Sequence, residues 1–189
     1  VRRGAAGRDQ GQWRDRGAML MKAEDVESAY RAYATALELT AGDQAALDGL
    51  VRAAAASHQQ EDAERRLRAI VLAGASQPAP RVALARLLGM RGRFNEAAAM
   101  ATDATTLAPM DPTTWEELAS LHADAGDVIR LHPVVEVLRR EFPMRAASWY
   151  FAASESFLKG DVTTALPLVR RAIDLDAGYA DAYNLLGAI

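Results

Sequence analysis

The chain has 189 residues, a formal net charge of −3, 25% charged residues, 50% hydrophobic residues and no cysteine. These values exclude a disulfide framework and give no global electrostatic reason to bind nucleic acid. No apolar run approaches the eighteen or so residues that a membrane span needs, so no span is predicted in this segment. Alanine and arginine are abundant, whereas lysine occurs only at Lys22 and Lys159, a bias that is typical of a GC-rich bacterial genome.

The three tryptophans lie on one regular grid. Trp115 and Trp149 are 34 residues apart, and Trp13 precedes Trp115 by three such intervals. The two empty grid points hold Leu47 and Arg81, and the next point after Trp149 is Tyr183. A fixed period of this length indicates an array of helix–turn–helix repeats. We call these grid points the tryptophan positions.

In chain order, the glycine-rich residues 1–9 are predicted to form a tail or linker. Five full repeats and the start of a sixth follow, with the predicted bounds 10–43, 44–77, 78–111, 112–145, 146–179 and 180–189. Apolar or small residues three, four and seven places after each tryptophan position give the first helix of a repeat one buried stripe. Gly92, Gly126 and Gly160 recur eleven places after it, where a left-handed residue would connect two helices.

Asp127 and Asp161 are the predicted N-caps of the second helices in the fourth and fifth repeats. These two helices also have irregular features. In the fourth repeat Leu131 occupies a position that holds alanine elsewhere, and we expect it to push that helix outward. Pro133 and Pro167 occupy equivalent positions, so these helices either bend there or begin late, with proline near the first position.

This pattern resembles the tetratricopeptide repeat, whose Trp, Leu-Gly, Tyr, Ala, Phe and Pro positions recur at these offsets over residues 10–189. The resemblance implies an all-α fold, a right-handed superhelix of antiparallel helix pairs. It also implies a ligand in a concave groove lined by the first helices. The groove positions predict the partner-binding residues Arg14, Asp48, Arg52, Arg86, Met90, Glu116, Asp124, Tyr150, Ser154, Phe157, Leu158 and Asn184.

Two sets among these residues point to binding chemistry. Arg52 and Arg86 recur at one position of consecutive repeats and could grip a carboxylate or phosphate through forked hydrogen bonds. Alternatively, each forms a solvated salt bridge with Asp48 or Glu116.

Tyr150, Phe157 and Leu158 form the second set, an apolar patch. The patch would either receive an apolar side chain or helix of a partner or pack against the rest of a longer protein.

Two specialised sites of the family are not carried over to this chain. The positions of the carboxylate clamp that holds chaperone C-termini carry Arg14, Ala18, Gly49, Ala79 and Ala83, with one charge among them. The asparagine ladder of O-GlcNAc-transferring enzymes is also missing from its positions.

No catalytic residue, metal ligand or cofactor is predicted. His58, His122 and His132 occupy different repeat positions, and no second ligand has a suitable spacing. Phosphate-loop and nucleophile-elbow patterns are also missing from the sequence.

The sequence therefore predicts a non-catalytic scaffold that binds a peptide or helical segment of a protein partner. Because the sixth repeat stops at Ile189, we expect a piece of a longer protein. The composition indicates a bacterial source, and the residues do not distinguish the cytoplasm from the periplasm. The alternatives are a docking arm of a multidomain enzyme, such as a glycosyl- or sulfotransferase, and a homo-oligomer joined through the ends of the array.

Overall fold

The computed structural model describes residues 2–74 and 76–189, and the side chains of residues 11–74 and 76–189. This part of the chain forms α-helices and connecting turns, with no strand. The helices are α1 (Arg2–Lys22), α2 (Val26–Leu39), α3 (Gln44–Ala56), α4 (Gln60–Ala73), α5 (Pro78–Met90), α6 (Phe94–Leu107), α7 (Pro112–Asp124), α8 (Val128–Glu141), α9 (Ala146–Leu158), α10 (Val162–Leu175) and α11 (Ala180–Ala188).

The helix starts follow the sequence period. The first helices α3, α5, α7, α9 and α11 begin at residues 44, 78, 112, 146 and 180, the first residues of the predicted repeats. α1 begins at Arg2, so its backbone includes most of the residues for which a tail or linker is predicted. The side chains of residues 1–10 lie outside the described part, and a tail there stays a prediction.

The turn between the two helices of a repeat has one conformation in all five repeats. The backbone φ is positive at Gly92, Gly126 and Gly160, as predicted, and also at Glu24 and His58 in the same position. One hydrogen bond closes each turn, from the next residue's N–H back to a carbonyl five residues earlier. The pairs are Asp25–Leu20 (3.0 Å), Gln59–Ala54 (2.9 Å), Arg93–Leu88 (3.0 Å), Asp127–His122 (2.9 Å) and Asp161–Ser156 (2.9 Å). This is the bond that ends a helix through a left-handed residue.

The second helices α8 and α10 begin at the predicted caps. The carboxylates of Asp127 and Asp161 accept hydrogen bonds from backbone N–H groups three residues later, at 3.1 and 3.0 Å. Since these helices begin at residues 128 and 162, Pro133 and Pro167 lie inside them and the late-start interpretation is wrong. Each proline lacks the N–H that would bond to the carbonyl four residues earlier.

Glycine lets the first helices of two repeats approach one tyrosine. Tyr33 of α2 is 2% exposed. A Cβ added at Gly17 of α1 would lie 2.8 Å from its ring, and one added at Gly49 of α3 would lie 2.3 Å from it. Both distances are shorter than the approach of two carbon atoms that are not bonded to each other. α1 and α3 therefore reach this ring only because neither glycine has a side chain.

The spacing within a helix pair follows the bulk at two facing positions. α1/α2, α5/α6 and α9/α10 pack closely, whereas α3/α4 and α7/α8 pack less closely. The close pairs carry only glycine or alanine there: Gly17 and Ala29, Ala85 and Ala97, Ala153 and Ala165. The open pairs carry Val51 opposite Ala63, and Leu131 opposite Ala119, all fully buried. The looser packing at Leu131 agrees with the sequence prediction, which did not include Val51.

The chain divides into two compact units, Val1–Leu107 with α1 to α6 and Ala108–Ile189 with α7 to α11. The core of the first unit is built from leucine, valine and alanine of its helix pairs. In the second unit, Val169 and several alanines of α9 to α11 form a buried cluster, against which Trp149, Tyr150 and Tyr179 pack.

The tryptophans of the second unit tie each first helix to the loop before it. Trp115 Nε1–H donates to the carbonyl of Pro109 at 2.8 Å, and Trp149 Nε1–H donates to that of Pro143 at 2.7 Å. Both side chains are half-buried. The recurrence of tryptophan and proline at a fixed distance thus has a direct physical cause, a partly buried ring with a satisfied polar end.

Candidate partner-binding surface

The charged residues of the predicted groove in the first unit already have partners, with one exception. Arg86 Nη1 donates to Asp48 Oδ1 at 2.7 Å, and both side chains are about one-third exposed. Gln44 Nε2 also donates to Asp48, at 3.2 Å. Arg14 donates two hydrogen bonds to Asp15 and lies 3.7 Å from Asp43. For Arg86, therefore, the salt-bridge alternative of the sequence analysis describes the structure.

Arg52 is the exception in this unit. Its side chain is exposed, and no carboxylate of the described residues lies within ion-pair distance of it. It is close enough to Tyr33 for its charge to lower the pKa of that hydroxyl, although burial dominates and raises it. Met90, at the end of α5, is 56% exposed.

In the second unit the predicted groove residues of α9 divide into a buried part and an accessible part. Ser154 is buried, and its hydroxyl donates to the Tyr150 carbonyl of the same helix at 3.0 Å. The ring of Tyr150 is half-buried and packs edge-on against Tyr179, with 5.4 Å between centroids. Phe157 is half-buried and Leu158 is 41% exposed, so the accessible apolar surface lies at the C-terminal end of α9.

The carboxylates around this patch come from α7 and α11. Glu116 accepts a hydrogen bond from Arg145 Nη2 at 3.1 Å. Neither Asp124 nor Asp181 lies within ion-pair distance of a basic side chain in the described part of the chain. Asn184 of α11 is exposed.

The electrostatics place Asp124, Asp181 and Tyr150 in one neighbourhood. Partial burial raises the pKa of Asp124, and the charge of Asp181 raises it further against an opposing hydrogen bond from Ser120. Burial also raises the pKa of Tyr150, with smaller contributions from Asp181 and Asp124. Asp124 is exposed as a residue, so its desolvation is local to the side of the carboxyl that faces the protein. Asp181 was not among the predicted site residues, although it occupies a groove position two residues before Tyr183.

A cluster of ionic contacts outside the predicted groove was missed by the sequence analysis. Glu64 of α4 is 9% exposed and accepts hydrogen bonds from Arg68 (2.8 and 3.0 Å), from Arg93 (2.7 and 2.9 Å) and from Arg91. Burial alone would raise the pKa of Glu64, but the bonds from Arg93 and Arg68 outweigh it and lower the pKa. The cluster joins α4 to the turn between α5 and α6, which indicates a structural role.

A second polar contact joins α4 to α2. The hydroxyl of Tyr30, a residue that is 2% exposed, donates to Asp62 Oδ2 at 2.6 Å. Arg66 and Arg65 also donate to this carboxylate, at 2.8 and 2.9 Å. The hydrogen bond from Tyr30, followed by that from Arg66, lowers the pKa of Asp62 to about 2.

The histidines have structural environments. His58 occupies the turn position with positive φ, and His122 is 8% exposed, with a pKa lowered by burial. His132 Nδ1 lies 2.8 Å from Glu155 Oε1, a carboxylate that also contacts Lys159. Among the described residues there is no group of histidine and carboxylate side chains arranged to hold a metal ion. In the same part of the chain, no helix is both long and apolar enough to cross a membrane.

The comparisons with known proteins agree on one architecture. No family model and no curated protein matches the sequence. The structure resembles TTC0263, a TPR protein of Thermus thermophilus, with a TM-score of 0.72 at 14% identity, covering 95% of this chain and 97% of that one.

Two further solved structures are similar. YrrB, described as a TPR protein with an unusual peptide-binding site, has a TM-score of 0.60 at 19% identity, with 91% of this chain and 89% of that chain covered. Yeast Tom70 has a TM-score of 0.75 at 15% identity, with 95% of this chain and 39% of that chain covered.

The antiparallel helix pairs, with one turn geometry repeated every 34 residues, define an all-α helical-repeat protein. More specifically, the chain has the tetratricopeptide-repeat fold, as the sequence resemblance predicted.

Proposed function

We propose that the chain is a non-catalytic scaffold that binds a segment of a partner protein on the faces of its first helices. The observation that carries the proposal is the accessible apolar end of α9, where Leu158 is 41% exposed and Phe157 is half-buried. Exposed apolar surface on a helix is the usual receiver of an apolar side chain or helix from a partner. YrrB, with its peptide-binding site, supports the same use of the fold.

The groove residues differ in what they can offer to a partner. Leu158, Phe157, Asp124 and Asn184 are accessible in the second unit, and we propose them as contacts. In the first unit, Arg52 is the cation that a carboxylate of the partner could reach without displacing another residue. Arg86 would first have to give up Asp48, and its salt bridge would offset much of the gain.

A peptide selection tests the proposal. Peptides selected from a random display library for binding to the wild-type protein are measured against Leu158→Asp, which places a charge in the apolar surface. We expect an affinity loss of about tenfold or more, equivalent to about 1.4 kcal/mol. The matched control is Ile129→Asp on α8, because Ile129 is 87% exposed and lies outside the predicted groove.

Two results would count against the proposal. Equal affinities of the selected peptides for wild-type protein and Leu158→Asp would place the binding surface elsewhere. A larger loss in Ile129→Asp than in Leu158→Asp would move it to the second helices. Circular dichroism of both variants checks that the helices remain formed.

A further inference from the structure

The first helices of the second unit carry charge of a single sign. α7, α9 and α11 contain no lysine or arginine. Their acidic residues are Glu116, Glu117, Asp124, Glu155 and Asp181. In the first unit, by contrast, α3 and α5 contain Arg52, Arg81 and Arg86 and one acidic residue, Asp48.

The basic residues that flank α9 are already engaged. Arg145, at the N-cap of α9, binds Glu116 with two hydrogen bonds. Lys159, at the C-cap, binds Glu155, whose other partner is His132. Asp124 and Asp181 therefore have no basic partner among the described residues, although each belongs to a helix next to α9.

The two carboxylates lie near Tyr150, at one end of the apolar patch of α9. The charges of Asp124 and Asp181 both act on the hydroxyl of Tyr150, the first residue of the α9 patch, and Asp181 acts also on that of Tyr179. Phe157 and Leu158 follow two turns later on α9, and Leu158 is exposed. We call Asp124, Asp181, Tyr150, Phe157 and Leu158 the acidic–apolar face.

We propose that the acidic–apolar face binds a partner segment in which a lysine or arginine stands next to a large apolar side chain, an inference that rests on the function proposed above. The cation would lie near Asp124 and Asp181, beside the ring of Tyr150, and the apolar side chain would cover Leu158 and Phe157. A cation relieves the repulsion between the two carboxylates, and the tyrosine ring adds a favourable cation–π contact. An acidic segment would meet only carboxylates on these helices.

The electrostatics of the free protein support this assignment. The pKa of Asp124 is raised by partial burial and by Asp181, so its charged form is held in an unfavourable environment. An arriving cation offsets that penalty by Coulomb attraction, which favours an ion pair that contributes to affinity.

The test uses three synthetic peptides of equal length that share two leucines and differ in two flanking residues, which are lysine, glutamine or glutamate. Their affinities for the wild-type protein are measured by fluorescence anisotropy. We expect the lysine peptide to bind about tenfold or more tightly than the glutamate peptide, with the glutamine peptide between them. Added salt should reduce the difference, because the charges are partly exposed.

The variant Asp124→Asn with Asp181→Asn should lower the affinity for the lysine peptide by about fivefold or more and leave that for the glutamine peptide nearly unchanged. The matched control is Glu136→Gln with Asp174→Asn, which makes the same change in net charge at exposed positions of α8 and α10. Because this control also removes two negative charges, a general effect of net charge would lower the affinity for the lysine peptide equally in both double variants. Tryptophan fluorescence and circular dichroism check the fold of both variants.

The outcomes separate the two proposals. Equal binding of all three peptides, lost in Leu158→Asp, overturns the charge preference and keeps the scaffold function. Equal losses of affinity for the lysine peptide in the variant Asp124→Asn with Asp181→Asn and in its control also overturn the charge preference. No measurable binding of any of the three peptides counts against this inference, whereas the selected peptides decide the scaffold function independently.

Discussion

The pairs α3/α4 and α9/α10 are held together by different contacts. In α9/α10, Ala153 and Ala165 let the two helices pack closely, and both are fully buried. In α3/α4, Val51 keeps the helices further apart. α4 buries Ala63 and Leu67 and also makes polar contacts to other elements, with Tyr30 and Glu38 of α2 and with the arginines around Glu64. The more widely spaced pair is thus accompanied by polar contacts between its second helix and the neighbouring elements.

The difference also bears on function. α9, which carries Tyr150, Phe157 and Leu158, has a closely packed second helix behind it. A binding surface on such a helix is largely formed before the partner arrives, so less ordering entropy is lost on binding. Beside the open pair there is instead a solvent-open cavity of about 190 Å³, lined by Ala34, Leu37, Leu50, Ala69, Ile70 and the ion pair of Glu38 and Arg66.

The largest effect on stability is expected from a substitution that forces α9 and α10 apart. Ala165→Leu places in α10 the residue type that α8 has at Leu131, and the larger side chain has no room against Ala153. We expect a loss of about 3 kcal/mol in the free energy of unfolding, at the upper end for overpacked cores. Urea denaturation measures it. A loss below about 0.5 kcal/mol would show that bulk at this position does not set the helix spacing.

The next largest effect is expected from the ionic contacts that join α4 to the turn between α5 and α6. Glu64→Gln removes the charge that three arginines share, and we expect a loss of about 2 kcal/mol, the range for hydrogen bonds to charged groups. The control is Glu61→Gln, since Glu61 is 88% exposed and 3.8 Å from Arg91, and its loss should stay within about 0.5 kcal/mol. Equal losses in the two variants would remove Glu64 from the account of how α4 is held.

A smaller effect is expected at the turns of the two pairs. Gly160→Ala, in the turn between α9 and α10, puts a side chain at φ 78° and should cost about 1 kcal/mol. His58→Gly, in the turn between α3 and α4, should change stability in the opposite direction by about 0.5 kcal/mol, because His58 already has φ 58°. Thermal melts of both variants measure the signs. A destabilised His58→Gly would mean that the histidine side chain has a stabilising contact of its own.

A further effect is the pH dependence of the contact between α2 and α4. The pKa of Asp62 is lowered to about 2 in the folded chain, below the value of about 3.9 for an unperturbed aspartate. Its contribution to stability is therefore complete above about pH 4 and is lost as the pH falls towards 2. Tyr30→Phe removes the largest cause of the shift, so a carbon-detected NMR titration should find a higher pKa for Asp62 in that variant. An unchanged pKa would assign the shift to the arginines alone.

The sequence predicted the features that depend on contacts at a fixed spacing. Glycine at the turn and aspartate at the caps follow from one helix pair repeated along the chain. Glu24 and His58 were missed in the turn, because a repeat imposes its backbone even where the side chain does not favour it.

The charged contacts were harder to predict. Arg52 and Arg86 occupy the same repeat position, yet only Arg86 reaches Asp48, which is four residues before Arg52 on α3. Arg68 lies four residues after Glu64 on α4, but Arg91 and Arg93 come from the next repeat and follow no common period with Glu64. Such contacts depend on side-chain conformations and on distances between helices, and neither can be read from the spacing of residues along the sequence.

Fluorine NMR tests the location of the binding surface most directly, because the chain has four phenylalanines, Phe94, Phe142, Phe151 and Phe157. With fluorinated phenylalanine throughout, and with Phe157→Leu to assign its signal, the lysine peptide is titrated into the protein. We expect the Phe157 resonance to shift most and those of Phe94 and Phe142 to stay in place. A peptide that binds and shifts Phe94 or Phe142 while leaving Phe157 unchanged would contradict the assignment of the partner to the acidic–apolar face.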